Sequence, residues 1–168
     1  MKNYLEFERD IKDLEEELEK LKDPFNKEGL SQVETDKISK IQFEIDEKLK
    51  VSYANLNEWQ KTQVARHEDR PKSKFFIDNL FNNFINLSGD RRFSEDEAVL
   101  AGFAKFEGNS VLVIGQEKGK DLETRLKRNF GMMRPEGYRK CIRLMNLANK
   151  FKIPVISFID TPGAYPGI

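Results

Sequence analysis

Pro154 introduces Val155-Ile156-Ser157-Phe158-Ile159, a nearly unbroken apolar run closed by Asp160-Thr161-Pro162-Gly163-Ala164-Tyr165-Pro166-Gly167. A short apolar run bounded by Pro and Gly reads as a strand buried on both faces of a parallel sheet. Upstream, Pro135-Glu136 open a helix. It carries Tyr138, Cys141, Ile142, Met145, Ala148 and Phe151 on one stripe and Arg139, Lys140, Arg143 and Lys150 on the other face. Before that helix, Val99 to Phe106 and Val111 to Gln116 read as strands joined by a hairpin loop at Glu107-Gly108-Asn109-Ser110. Strand, helix and strand predict a right-handed βαβ crossover. Ligands of such sheets gather at the carboxyl ends of the strands, where both Gly115-Gln116-Glu117-Lys118-Gly119 and the terminal loop lie. Two X-Pro steps and two glycines make that loop rigid and poor in side chains, a form that offers backbone to a ligand.

The N-terminal third follows a different pattern. Phe7, Ile11, Leu14, Leu18 and Leu21 recur at four- and three-residue steps, and Ile38, Ile41, Ile45 and Leu49 form a second run continuing towards Trp59. Asp23-Pro24 and Gly29 separate them, so residues 1–60 are expected to fold as a helical hairpin, packed on the domain or on a partner. Polar residues up to Arg70-Pro71 lead to Ser73, read as the N-cap of a helix with Phe76, Ile77, Leu80, Phe81 and Phe84 that ends at Gly89. The globular core then occupies residues 61–168.

Charge supports the division. Formal net charge is zero, yet acidic residues are in excess over residues 1–50 and basic residues over 117–143. The basic segment lacks the interleaved aromatics of a single-strand binder, which favours an anionic cofactor or a solvated face over nucleic acid. One Cys and one His leave no internal disulfide and too few ligands for a structural zinc site. A reducing cytoplasm fits best, and no apolar run approaches the ~20 residues needed to cross a bilayer.

Several motifs are weighed and set aside. Gly115 to Lys120 has three residues between its glycines and Asp121 after the lysines, so it is no phosphate-binding P-loop, and the dinucleotide fingerprint is absent. A strand-end glycine loop with Lys118 beside a ligand and a simple tight turn both fit. His67 has an intrinsic pKa suited to proton transfer, but reads as structural rather than as a general base. Cys141 lies on an apolar helix stripe and reads as core.

The ordered set Leu87-Ser88-Gly89-Asp90-Arg91, Gly115-Gln116-Glu117-Lys118-Gly119, Asn129-Phe130-Gly131-Met132, Pro135-Glu136-Gly137-Tyr138-Arg139-Lys140 and Phe158 to Gly167 resembles the carboxyltransferase alpha subunit of bacterial acetyl-CoA carboxylase. Ala65-Arg66-His67, Arg70-Pro71 and the helical arm extend the resemblance over essentially the whole chain. It implies an α/β protein: the helical hairpin followed by an incomplete crotonase-like (ClpP-like) spiral of ββα units, cut off after the terminal loop. It implies transfer of carboxylate from carboxybiotin, held covalently on a biotin carboxyl carrier protein, to acetyl-CoA, giving malonyl-CoA for fatty-acid synthesis. The implied partners are a zinc-carrying beta subunit in an alpha2-beta2 heterotetramer, the carrier protein and biotin carboxylase.

By the same resemblance, Asp160, Thr161, Pro162, Gly163, Ala164, Tyr165 and Gly167 form the carboxybiotin-side loop. Gly163 and Ala164 shape its wall and Tyr165 packs on or near the ring. Gly115, Lys118, Gly119, Arg128, Asn129 and Gly131 are the anion- and substrate-side candidates. No catalytic residue and no metal ligand is assigned in this chain, and the oxyanion donors are expected downstream of Ile168. Gln116 stands where many members have His, and Glu117 where Gln is frequent. The fragment alone is expected to be inactive. The alternatives are another crotonase-like acyl-CoA enzyme and a non-catalytic interaction module.

Overall fold

The computed structural model describes residues 3–23 and 32–167, which fall into two compact units, Met1–Arg70 and Pro71–Ile168. Pro24 and Gly29, expected to interrupt the arm, lie outside the described residues.

In the first unit a 3-10 turn at Glu6–Glu8 leads into α1 (Arg9–Lys22), followed by α2 (Gln32–Ala54) and α3 (Glu58–Ala65). Ile11, Leu18, Ile41 and Ile45 are buried together, flanked by Leu14, Leu21, Ile38 and Leu49, so the two predicted seams face each other. The helices run antiparallel. Phe7 meets Tyr53 edge-on at 5.8 Å between ring centroids, and Lys37 pairs with Glu17 at 2.8 Å. The second helix does not continue to Trp59. It stops at Ala54, and Asn57 starts α3 with a capping box in which its side chain accepts from Gln60 N and Gln60 reaches back to Asn57 N.

The second unit contains α4 (Ser73–Leu80), β1 (Asn82–Asn86), β2 (Val99–Phe106), β3 (Asn109–Gln116), α5 (Leu122–Lys127), a 3-10 turn at Asn129–Gly131, α6 (Pro135–Phe151) and β4 (Val155–Phe158). Its described strands form one mixed sheet in the order β1-β2-β3-β4, with β3 and β4 parallel and the other pairs antiparallel. The β2–β3 hairpin is tighter than the four-residue loop expected. Glu107 and Gly108 alone make the turn, both at positive φ, as a two-residue hairpin of this hand requires.

Side-chain alternation puts one helix on each face of the sheet. Val111 and Val113 pack with Ile77, Phe81 and Ala104 on the α4 face, and Phe158 stacks on Phe76 with ring centroids 5.7 Å apart. Leu112 and Ile114 pack with Val99, Ala101, Cys141, Leu144 and Ala148 on the α6 face. Burial pushes the Cys141 thiol up, in keeping with a core residue.

Four further expectations are corrected. The helix predicted to run through Phe84 ends at Leu80, and Phe84 sits in strand β1. Apolar residues at helical spacing continue across the junction, but Asn82 and Asn83 favour non-helical backbone, and Asn83 takes φ +53° beside a register shift. A Cβ at Gly102 would run into the Ile85 carbonyl, so β2 admits β1 only because it is glycine there. Ser73 is not the N-cap of α4; Lys72 is, with no side-chain cap. The Glu117 carboxylate, reaching from the end of β3, instead accepts from Lys74 N at 2.8 Å.

The basic face of α6, with an anionic cofactor or solvent expected against it, is the third correction. Lys140 is completely buried, its ammonium paired with Glu95 and donating to Val99 O at 2.8 Å. Arg139 pairs with Asp90 at 2.7 Å, and Arg143 donates to Gly89 O at 2.8 Å. This face therefore clamps the 88–95 loop. Backbone N–H groups of Phe93 and Arg92, then Arg139, hold the Asp90 carboxyl well below the usual carboxylate range. On the predicted apolar stripe Tyr138, Ile142, Met145 and Phe151 are exposed, while Cys141 and Ala148 are buried. Fourth, β4 is not covered on both faces. It pairs only with β3 among the described strands, leaving Val155 44 % exposed.

Candidate functional site

Because β3 and β4 are parallel and in register from Leu112↔Val155 to Gly115↔Phe158, both chains leave the sheet at the same edge. The residues after them, 116–119 and 159–167, are thereby brought together. Gln116, only 7 % exposed at the end of β3, supplies the link: its Oε1 accepts from Asp160 N at 3.1 Å and from Thr161 Oγ1 at 2.6 Å. Its neighbour Glu117 points to the opposite face, where it holds α4 and accepts from Gly119 N at 3.0 Å. Each side chain acts as a structural acceptor, one for each loop.

Lys118 completes the junction. Its ammonium lies 2.5 Å from Asp160 Oδ1, and both side chains remain partly open to solvent. Gly131, at φ +84°, closes over the stem: a Cβ there would lie 2.7 Å from Lys118 Cγ and 3.5 Å from Pro162 Cδ. Asn129 and Phe130 precede it at positive φ as well, a tight left-handed passage stabilised by Asn129 Nδ2 donating to Met132 O at 3.0 Å. Lys118, Gly131, Asp160, Thr161 and Pro162 thus meet at one point. Tyr165 stands nearby in the chain with the Arg134 guanidinium 5.9 Å from its ring centroid, a cation–π arrangement.

The other candidates lie elsewhere or are occupied. Gly115 faces α4, where a Cβ would approach Ser73 Cβ to 2.8 Å, so close packing accounts for it. Gly119 turns at φ +84° against the start of α5, which Asp121 caps by accepting from Thr124 N at 2.9 Å. Arg128 is directed to Glu97 O at 2.8 Å. Around Gly163 nothing lies within 4 Å of a built Cβ, and the same holds for Gly167, at φ +71°. Gly163 is therefore free of any packing requirement within the described residues. In the first unit, His67 Nε2 lies 2.7 Å from Asn3 O and Nδ1 accepts from Asp69 N at 3.2 Å, a pattern that uses both ring nitrogens in structure. No cluster of three or more His, Cys, Asp or Glu suited to a metal occurs among the described residues, and no described helix is long and apolar enough to cross a membrane.

Two contributors were not among the sequence candidates. Gln116 is a polar residue ending an otherwise apolar strand, a signal that it bonds to something at the strand's edge. Arg134 sits immediately before the helix-opening Pro135 and carries no comparable signal.

An ammonium paired with Asp160 therefore stands beside a proline-rigidified backbone with open space at Gly163, an arrangement that can meet an anionic group. Comparison with known proteins gives that group a context. The sequence profile described as acetyl co-enzyme A carboxylase carboxyltransferase-like matches residues 4–168. The chain belongs to that family. It is 73% identical over all 168 residues to the acetyl-coenzyme A carboxylase carboxyl transferase subunit alpha of Pelagibacter ubique (strain HTCC1062), of which it spans 46%. It is 49% identical to the subunits of the same name from Brucella anthropi and Brucella ovis, spanning 53% of each. The chain thus covers about half the length of these carboxyltransferase relatives, and the 116–119 and 159–167 junction lies inside the part they share.

Proposed function

We propose that the chain forms the biotin-side wall of an acetyl-CoA carboxylase carboxyltransferase, acting as part of its alpha subunit. The observation that carries this is the meeting of Gln116-Lys118 with Asp160-Pro162 at the carboxyl ends of two parallel strands in a chain of this family. In this reading Asp160, Thr161, Pro162, Gly163, Ala164, Tyr165 and Gly167 line the carboxybiotin side. Lys118 meets the carboxylate, while Arg128 and Asn129 act through the backbone they hold.

Biotin, carried on a separate carrier protein, supplies an activated carboxyl group on a ureido nitrogen. The N–C bond to that carboxyl group would break as the methyl carbon of acetyl-CoA, having lost a proton, forms the new C–C bond, giving malonyl-CoA and leaving the proton on the ureido nitrogen. This chain's share is to bind, orient and exclude water. On this reading the alpha-side oxyanion donors, each worth ~3 kcal/mol of barrier, lie in the portion of the subunit beyond Ile168. A zinc-carrying beta subunit holding most of acetyl-CoA, in an alpha2-beta2 assembly in the cytoplasm alongside biotin carboxylase, completes the site. The core is the opening part of a crotonase-like spiral. Exposed Tyr138, Ile142, Met145 and Val155 support further protein covering α6 and β4, and with it the inactivity of this segment alone.

Gly163→Val tests the wall. Open space around a Cβ there means the substitution should leave the fold intact. In a subunit of full family length carrying this sequence and joined to its beta partner, malonyl-CoA formation is expected to fall at least tenfold, with unchanged thermal unfolding. Unchanged turnover would sink the assignment.

A further inference from the structure

We infer that Gln116 is a positioning residue for the biotin-side substrate, acting on it through Asp160 and Lys118. The inference rests on the wall described above and goes beyond it by naming what sets the wall's charge in place. Gln116 is nearly buried and spends one oxygen on two donors from the opposite loop, Asp160 N and Thr161 Oγ1. Those contacts fix the backbone of Asp160, whose carboxylate in turn holds the Lys118 ammonium at 2.5 Å. Gly131 leaves the space in which the lysine stem lies.

Lysine carries a mobile charge on a flexible stem, so an unrestrained Lys118 would pay an ordering cost whenever it met an anion. With Asp160 held, the ammonium is preorganised before substrate arrives. Neither Gln116 nor Asp160 need touch the transferred carboxyl group. The ligand concerned is the planar, anionic carboxylated ureido group rather than the CoA thioester, because the relay ends in the loop at the edge of β4.

The test measures carboxyl transfer by the full-length subunit assembled with its beta partner, varying in turn the carboxylated biotin carrier, whose constant is the biotin KM, and acetyl-CoA. Gln116→Ala removes the acceptor, and Thr161→Val removes one donor without touching the strand. Each is expected to raise KM for biotin about tenfold, the scale of a lost hydrogen bond of about 1.4 kcal/mol, with KM for the thioester unchanged. Thr161→Ser, which keeps the hydroxyl, should recover most of the loss. Amide exchange at Asp160 should accelerate in Gln116→Ala. Equal rises in both KM values, or an unchanged biotin KM in both variants, would overturn the relay. If Gly163→Val lowers transfer while Gln116→Ala and Thr161→Val do not, the relay fails and the wall stands; if none of the three alters transfer, the wall itself fails.

Discussion

Glu95→Ala is expected to destabilise the second unit by about 3–5 kcal/mol, the range found when a buried ion pair loses one partner. Lys140 is completely enclosed, and its ammonium has two partners in the structure, the Glu95 carboxylate and Val99 O. Removing the carboxylate leaves a charge in the interior with one neutral acceptor. It also frees Gly89 N, which donates to the second Glu95 oxygen, so the 88–95 loop loses an anchor at the same time. Chemical denaturation of the wild type and the variant would read the difference directly. Adding Lys140→Met should restore most of the stability, since the long apolar side chain fills the same space without a charge. A loss below about 1 kcal/mol in the single variant would show that the pair is not desolvated as described.

Gly131→Val should reduce carboxyl transfer by about a hundredfold, the scale expected when reacting groups are misplaced by an ångström. Two effects combine. A β-branched residue is strained at φ +84°, and its Cβ would stand 2.7 Å from Lys118 Cγ, with Pro162 behind it. Lys118 and the 160–162 loop must then separate, which dismantles the junction. Steady-state kinetics of the assembled subunit, with circular dichroism to confirm the fold, would measure this. Gly131→Ala keeps the strained φ with less bulk and should fall between wild type and valine. Wild-type turnover in the valine variant would show that the Gly131 contact does not position Lys118.

Period and punctuation made much of this architecture readable. Ile11, Leu18, Ile41 and Ile45 meet as their spacing requires, and the apolar run after Pro154 is a parallel partner of β3. Both loops of the candidate site follow from that pairing alone. What was illegible depends on contacts distant in sequence. Phe84 continues a helical spacing by coincidence, and only the close passage at Gly102 reveals a strand there. Lys140 carries the same charge as the exposed Lys150, so its burial is decided by Glu95, 45 residues away. Glu117 likewise caps α4 from 43 residues downstream. At the site, glycine and proline marked the loops, while Gln116 stood out as a polar end to an apolar strand and as a departure from a family pattern, and its two bonds to Asp160 and Thr161 supply the reason it matters.

Hydrogen exchange on the assembled subunits, with carboxylated biotin carrier and with acetyl-CoA added separately, tests the biotin-side wall most directly. Protection of residues 160–167 and 116–119 by the carrier, with little change from acetyl-CoA, is the predicted result. Protection by the carrier elsewhere, with residues 160–167 exchanging as in the free protein, would contradict it.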